Sequence, residues 1–128
     1  MFNISSNSKD SLCAVLTNPT EIAYRKGNLK RHYPITDKTG KVWKDAEESY
    51  KHFKTGNLEE DMKIMTKIIV AKLRQYPEIV VGIEKRGGIE WLKSCSHIVG
   101  VKNSRWEGKG INSNFIKCLV NAYRIVTN

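Results

Sequence analysis

The sequence predicts an α+β fold over a single domain, residues 1–128, with a small N-terminal sheet covered by several helices. Three observations predict it. The first forty residues read as short strands and turns, and the middle of the chain carries apolar residues with a period near 3.6. A compact apolar run, His97 to Val101, returns late. Strands first, helices next and a late strand rejoining the first sheet suit segregated α+β better than alternating α/β. No repeat, low-complexity tract or Pro/Gly/Ser-rich linker marks a second domain.

Each element has a local cause. Leu12 to Leu16 (LCAVL) is a short apolar run, predicted as a strand, that ends in the turn signal Thr17-Asn18-Pro19-Thr20. His32 to Trp43 predicts two short strands around Asp37-Lys38-Thr39-Gly40. Asp45, with Glu48 three residues on, predicts a helix start of capping-box type. Thr55-Gly56-Asn57 closes that helix and opens the next, with Asn57 as cap. From Leu58 to Gln75, Leu58, Met62, Ile64, Met65, Ile68 and Ile69 are expected to form a core stripe, while Lys63, Lys67, Lys72 and Arg74 line its wetter flanks. Pro77 suits the first turn of a third helix, which Gly87-Gly88 ends, and Ile89 to Ser94 adds a turn or two. Lys102 to Ser113 reads as a loop, and Asn114 to Val126 as the closing helix.

Composition bounds the function. Hydrophobic content of 40% argues against wholesale disorder, and a formal charge of +9 favours anionic partners such as nucleic acid or nucleotides. The three cysteines are odd in number, widely spaced and without histidines at ligand spacing, which argues against structural zinc and a disulfide framework and fits a reducing compartment. The start lacks a signal-peptide pattern, and no stretch approaches the ~18 apolar residues of a membrane span. The expectation is a cytoplasmic protein without membrane partners.

Two groups of residues carry chemistry. Trp43, Glu47, Tyr50 and Lys54 are spaced i, i+4, i+7 and i+11, which on a continuous helix aligns them along one stripe. A lysine turned into a pocket loses hydration, which favours its neutral, nucleophilic form, and a nearby carboxylate can carry protons. Spacing alone equally allows Trp43 and Tyr50 in the core with Glu47 and Lys54 paired at the surface, and favours that plainer arrangement. The second group is the loop Asn103 to Asn114. There Trp106 offers a stacking plane, Arg105 and Lys109 offer charge for phosphate, and Gly108 and Gly110 allow close backbone approach. The loop is read either as a phosphate site or as a helix-capping segment with one anchored Trp. Trp91 is a core aromatic or the second side of a base sandwich. His32, His52 and His97 form no cluster and are set aside. The basic run Tyr24 to Tyr33 can contact a nucleic-acid backbone or be a solvated loop.

The segment GKVWKDAEESYKHFK resembles the W-x-x-x-E-x-x-Y-x-x-x-K segment of the NADAR superfamily (YbiA-like), with Trp43, Glu47, Tyr50 and Lys54 on the matching positions. The tail is similar to that family's W-G-x-G run and closing helix: Trp106, Gly110, Asn114 and Arg124 match. The resemblance spans about Pro34 to Arg124. Glu107 stands where the family has Gly, and Asn103 where it has an acidic residue. The resemblance implies an N-glycosidase acting on an ADP-ribosylated base, guanine-linked ADP-ribose, or on a related phosphoribosyl or ADP-ribose metabolite, with no metal and no cofactor. It implies Lys54 as nucleophile through a Schiff base and Glu47 as proton carrier. Trp43, Tyr50, Trp91, Arg105, Trp106, Gly110 and Asn114 would bind the substrate. The alternative is a non-catalytic, basic module that binds nucleic acid or nucleotides.

Overall fold

In a computed structural model, residues 1–101 and 104–128 are described. Asp10 decides the first departure from expectation. Its side chain accepts from the Cys13 N–H at 3.0 Å and so caps a helix. The run predicted as a strand is helix α1, Ser11–Leu16, with Leu12 to Leu16 all buried. A five-residue apolar run with no wet side has no period to separate strand from helix. Helix α2, Thr20–Arg25, follows Pro19, so the N-terminal region is more helical than the sequence predicts.

The hairpin comes where predicted. Strand β1, Ile35–Thr36, pairs antiparallel with β2, Val42–Trp43, placing Ile35 opposite Trp43. Asp37 Oδ1 accepts from the Thr39 and Lys41 amides and closes the turn between them. Helix α3, Ala46–Phe53, begins only after Asp45, whose extended backbone and Oδ1 cap the Glu48 N–H at 3.0 Å. A side-chain cap at that position contributes about 1 kcal/mol. The cap excludes Trp43 from the helix. At the far end Lys54 turns to ψ 145°, leaving only Glu47 and Tyr50 within α3. The predicted four-residue helical stripe is therefore split among a strand, a helix and a C-cap.

Helices α4 (Leu58–Gln75), α5 (Pro77–Arg86) and α6 (Ile89–Ser94) fall where predicted, and α7 (Asn114–Thr127) extends one residue beyond. Helix α4 packs most extensively on α7, and the buried side chains form one contiguous core between them and α1, α5 and α6. Each fully buried Leu or Ile there is worth roughly 1.5–3 kcal/mol. One predicted wet residue is inside: Lys72 is 2% exposed and donates its ammonium to the Thr17 carbonyl at 2.7 Å. The turn between α1 and α2 supplies that carbonyl, from 55 residues away, so the helical period of α4 could not announce it.

The late strand does not rejoin the first sheet. Strand β3, Ser96–His97, pairs antiparallel with β4, Gly108–Lys109, and Asn3 bridges Ser96 in parallel. The result is two separate two-stranded ribbons in an α+β fold. Ile98, Val99 and Val101, predicted as buried strand, are exposed. The Glu107 carboxylate accepts the amides of Val99, Gly100 and Val101 at 2.5–2.9 Å, taking the donors that a neighbouring strand would have used. No helix among the described residues is long and apolar enough to cross a membrane.

Candidate functional site

A cavity of about 280 Å³ opens between the start of α3, the turn after α1, and the segment from β3 to α7. Asn18, Glu47, Tyr50, His97, Trp106 and Phe115 are among its walls. The first turn of α3 is tied to the turn after α1 because the Glu47 N–H donates to the Asn18 carbonyl at 3.2 Å. Capping by Asp45 thus sets Glu47 one residue inside the helix, beside Asn18.

Glu47 is half-buried. Desolvation raises its carboxyl above the ordinary carboxylate range, the positive charges of Lys51 and Lys54 oppose that, and the Asp45 charge adds to it. Burial and neighbouring charge act on it, not hydrogen bonds. Tyr50 follows one turn later. Its ring meets the Trp106 ring edge to face, centroids 5.6 Å apart, and its buried hydroxyl makes no well-formed hydrogen bond among the described residues, although the Arg105 guanidinium is near enough to act on its ionisation. Asn18, 5% exposed, donates its amide to the Met65 sulfur at 3.0 Å and leaves Oδ1 without a partner among the described residues. Two orphaned polar atoms in one cavity wall cost about 1–3 kcal/mol each unless something entering the cavity meets them.

The opposite wall is built by the loop into α7. Ser113 caps α7 and also donates its hydroxyl to the Trp106 carbonyl at 2.5 Å, while the Asn114 amide donates to the Arg105 carbonyl at 2.7 Å. Arg105 then reaches across to the α3–α4 turn, bonding the Gly56 carbonyl and the Asp61 carboxylate, each at 3.1 Å. Asp61 is fully buried and also accepts from Thr55 and Gly56. This one carboxylate therefore fixes the turn after Lys54 and the arginine before Trp106.

The predicted site residues part company here. Glu47, Tyr50 and Trp106 line the cavity. Asn114 and Arg105 hold Trp106 from behind rather than facing the cavity. Lys54 is exposed at the end of α3 and is not part of the cavity wall, although its charge is felt at Glu47. Trp43 packs against His52 and Phe53 and donates its indole N–H to Asp37. Trp91 is buried in the core against Phe2 and beneath the Arg86 guanidinium. Gly110 is a packing residue: at φ +56° its N–H bonds the Cys95 carbonyl, and a Cβ would lie 2.6 Å from the Lys93 carbonyl oxygen. Arg124 is exposed near the end of α7. Glu107, the departure from the family's Gly, is the clamp on the Val99–Val101 amides, and Val99 and Val101 belong to the cavity wall. Asn103 lies outside the described residues.

Sequence reasoning missed three participants. Asn18 was visible only as a turn former. Asp61 is one of three acids in the first turn of α4, and nothing in the sequence sets it apart from Glu59 and Glu60. His97 was set aside, yet it lines the cavity, stacks on Phe115 at 4.5 Å, and donates from Nδ1 to the Ile4 carbonyl at 2.8 Å. Burial pushes its pKa down, which favours the neutral ring, and with Nδ1 donating the proton lies on that nitrogen and not on Nε2. Among the described residues no three His, Cys, Asp or Glu side chains cluster as a metal site. No family model, curated protein or solved structure matches this chain.

Proposed function

We propose that the chain is an N-glycosidase that cleaves the N-glycosidic bond of an ADP-ribosylated base, guanine-linked ADP-ribose, or of a related phosphoribosyl or ADP-ribose metabolite. The observation that supports this best is that Glu47, whose carboxyl is pushed up by burial, lines the same cavity as Tyr50 and Asn18, whose hydroxyl and side-chain oxygen have no hydrogen-bond partner among the described residues, with Trp106 in the same wall. A carboxyl held above its ordinary range keeps its proton closer to neutral pH, as a general acid needs. Glu47 delivers that proton to the departing base nitrogen as the C1′–N bond breaks and its electron pair goes to the base. The Lys54 amine forms the new bond to C1′ and gives a proton to the Glu47 carboxylate. Opening of the ribose ring leaves an imine, which water hydrolyses to free ADP-ribose and lysine. Seven residues of helical rise separate Glu47 from Lys54, about 10 Å, so Lys54 must reach in from the exposed end of α3.

The test is release of ADP-ribose from an ADP-ribosylated guanine oligonucleotide. Glu47→Gln is expected to lower kcat by about 10²–10⁴. Lys54→Ala is expected to abolish turnover with an unchanged circular-dichroism spectrum and melting temperature. Full activity in Lys54→Ala removes the covalent route; full activity in Glu47→Gln removes the reading itself. One observation favours the alternative of a non-catalytic nucleotide-binding module: the exposed amine of Lys54 outside the cavity wall. That alternative expects salt-sensitive binding with no turnover.

A further inference from the structure

A larger concavity lies elsewhere. A groove of about 900 Å³ runs between the loop after α2, the start of α1 and one face of α5. Lys9, Lys30, Arg31, Lys85 and Arg86 surround it against one carboxylate, Glu78. These cations come from three stretches of chain, so the basic run at Tyr24 to Tyr33 supplies only part of the charge. Two of them are already paired: Arg31 with Glu78 at 3.8 Å and Arg86 with Asp10 at 2.8 Å. Lys9, Lys30 and Lys85 are exposed and have no ion pair among the described residues. The floor between the cations is apolar, made by Leu12, Val15 and Ile79, and Tyr33 stands in the wall with the Arg31 guanidinium over one face of its ring and Tyr76 packed against it.

We infer that this groove binds single-stranded nucleic acid, with the lysines on backbone phosphates and the apolar floor and Tyr33 against unstacked bases. Unpaired lysines around a concave surface recognise a chain of phosphates through counterion release. An apolar floor with an aromatic wall matches the faces of bases that no partner strand covers. A duplex hides those faces, and a peptide of acidic residues alone has no ring to place against the floor. The groove also adjoins the cavity: Asn28 in its wall donates to the Ser6 carbonyl at 2.8 Å, and Ser6 lines the cavity. The binding stands by itself; that the strand presents a modified base to Glu47 rests on the glycosidase reading.

The experiment is fluorescence anisotropy of a labelled, unmodified oligothymidylate titrated with the full chain at several salt concentrations. The double variant Lys30→Glu, Lys85→Glu is expected to weaken binding by at least about tenfold and to flatten the log–log salt slope by about 1.4, two phosphate contacts at 0.7 each. Lys67→Glu with Arg74→Glu changes the net charge equally on the outer face of α4, and is expected to leave the affinity within about twofold. Equal losses in the two double variants, tighter binding to duplex, displacement by polyglutamate as effective as by unlabelled strand, or no binding at all would each overturn the inference. Turnover of an ADP-ribosylated substrate, measured separately on the wild type, reports on the glycosidase reading alone.

Discussion

Glu47 and Asp61 are carboxylates close to the same cavity, and their surroundings are opposite. Asp61 is fully buried, yet its two oxygens receive the amides of Thr55 and Gly56, the Thr55 hydroxyl and the Arg105 guanidinium. The Thr55 amide, ahead of the other bonds, holds its pKa below the usual value despite burial. Glu47 is only half-buried but has burial and neighbouring charge alone acting on it, and its pKa rises. For Asp61 the donors outweigh the cost of burial, and for Glu47, without such donors, burial prevails. A carboxylate saturated with donors is a structural anchor, whereas one left short of them is available for proton transfer.

The largest effect expected from breaking this contrast is at Asp61. Asp61→Ala strands two backbone amides and a guanidinium, and should lower the melting temperature by about 10 °C or more. Because the folded pKa is depressed, the wild-type advantage over the variant is full above the ordinary carboxylate range and is lost as pH falls through the lowered value. A variant that melts within a degree or two of wild type at pH 7 would show that the anchor contributes little.

Lys72 extends the contrast to a buried cation with a single hydrogen bond. Desolvation brings its pKa down to about 7 while the Asp45 charge opposes the shift. The folded value lies below the unfolded one, so the burial penalty is fully present below about pH 7 and is relieved as pH rises toward the unfolded value of 10.5. Lys72→Met should therefore stabilise the protein more at pH 7 than at pH 9, with a difference of roughly 2 kcal/mol in chemical denaturation. Equal effects at the two pH values would mean that the lysine is not desolvated in solution.

The smallest effect is at Glu47. Its folded pKa is raised, so ionisation weakens the fold above that value and costs nothing below the ordinary value of 4.5. Glu47→Gln is expected to be more stable than wild type at pH 7 by about 1 kcal/mol or less, after discounting for partial solvent screening, and equal to it near pH 4. Under the proposed function Glu47→Gln loses turnover without losing stability; a destabilised Glu47→Gln would make the residue structural.

Much of the fold was legible where local chemistry decides. Asp45, Asn57 and Pro77 mark helix starts through groups within three residues, and the bounds of α4 and α5 follow from them. Of the site, Glu47, Tyr50 and Trp106 were legible as chemistry-bearing types, but Lys54 and Trp43 leave the helix that spacing alone assigned to them. The misread runs have a common cause. Leu12 to Leu16 has no polar face to show its period, and Val99 to Val101 is held out of a sheet by a side chain several residues further along.

The sequence by itself determined where α3, α4 and α5 start, that the composition is basic, and that an acid, a phenol and an amine lie close together along the chain. Those properties depend on capping groups, on composition and on spacing, each readable within a few residues. Only the tertiary structure decided which charges are buried and which are satisfied. Asp61 meets its arginine across 44 residues, Lys72 its carbonyl across 55, and Asn18 its methionine across 47. Desolvation and long-range hydrogen bonding arise from what packs against a group, and that is fixed only when distant segments meet.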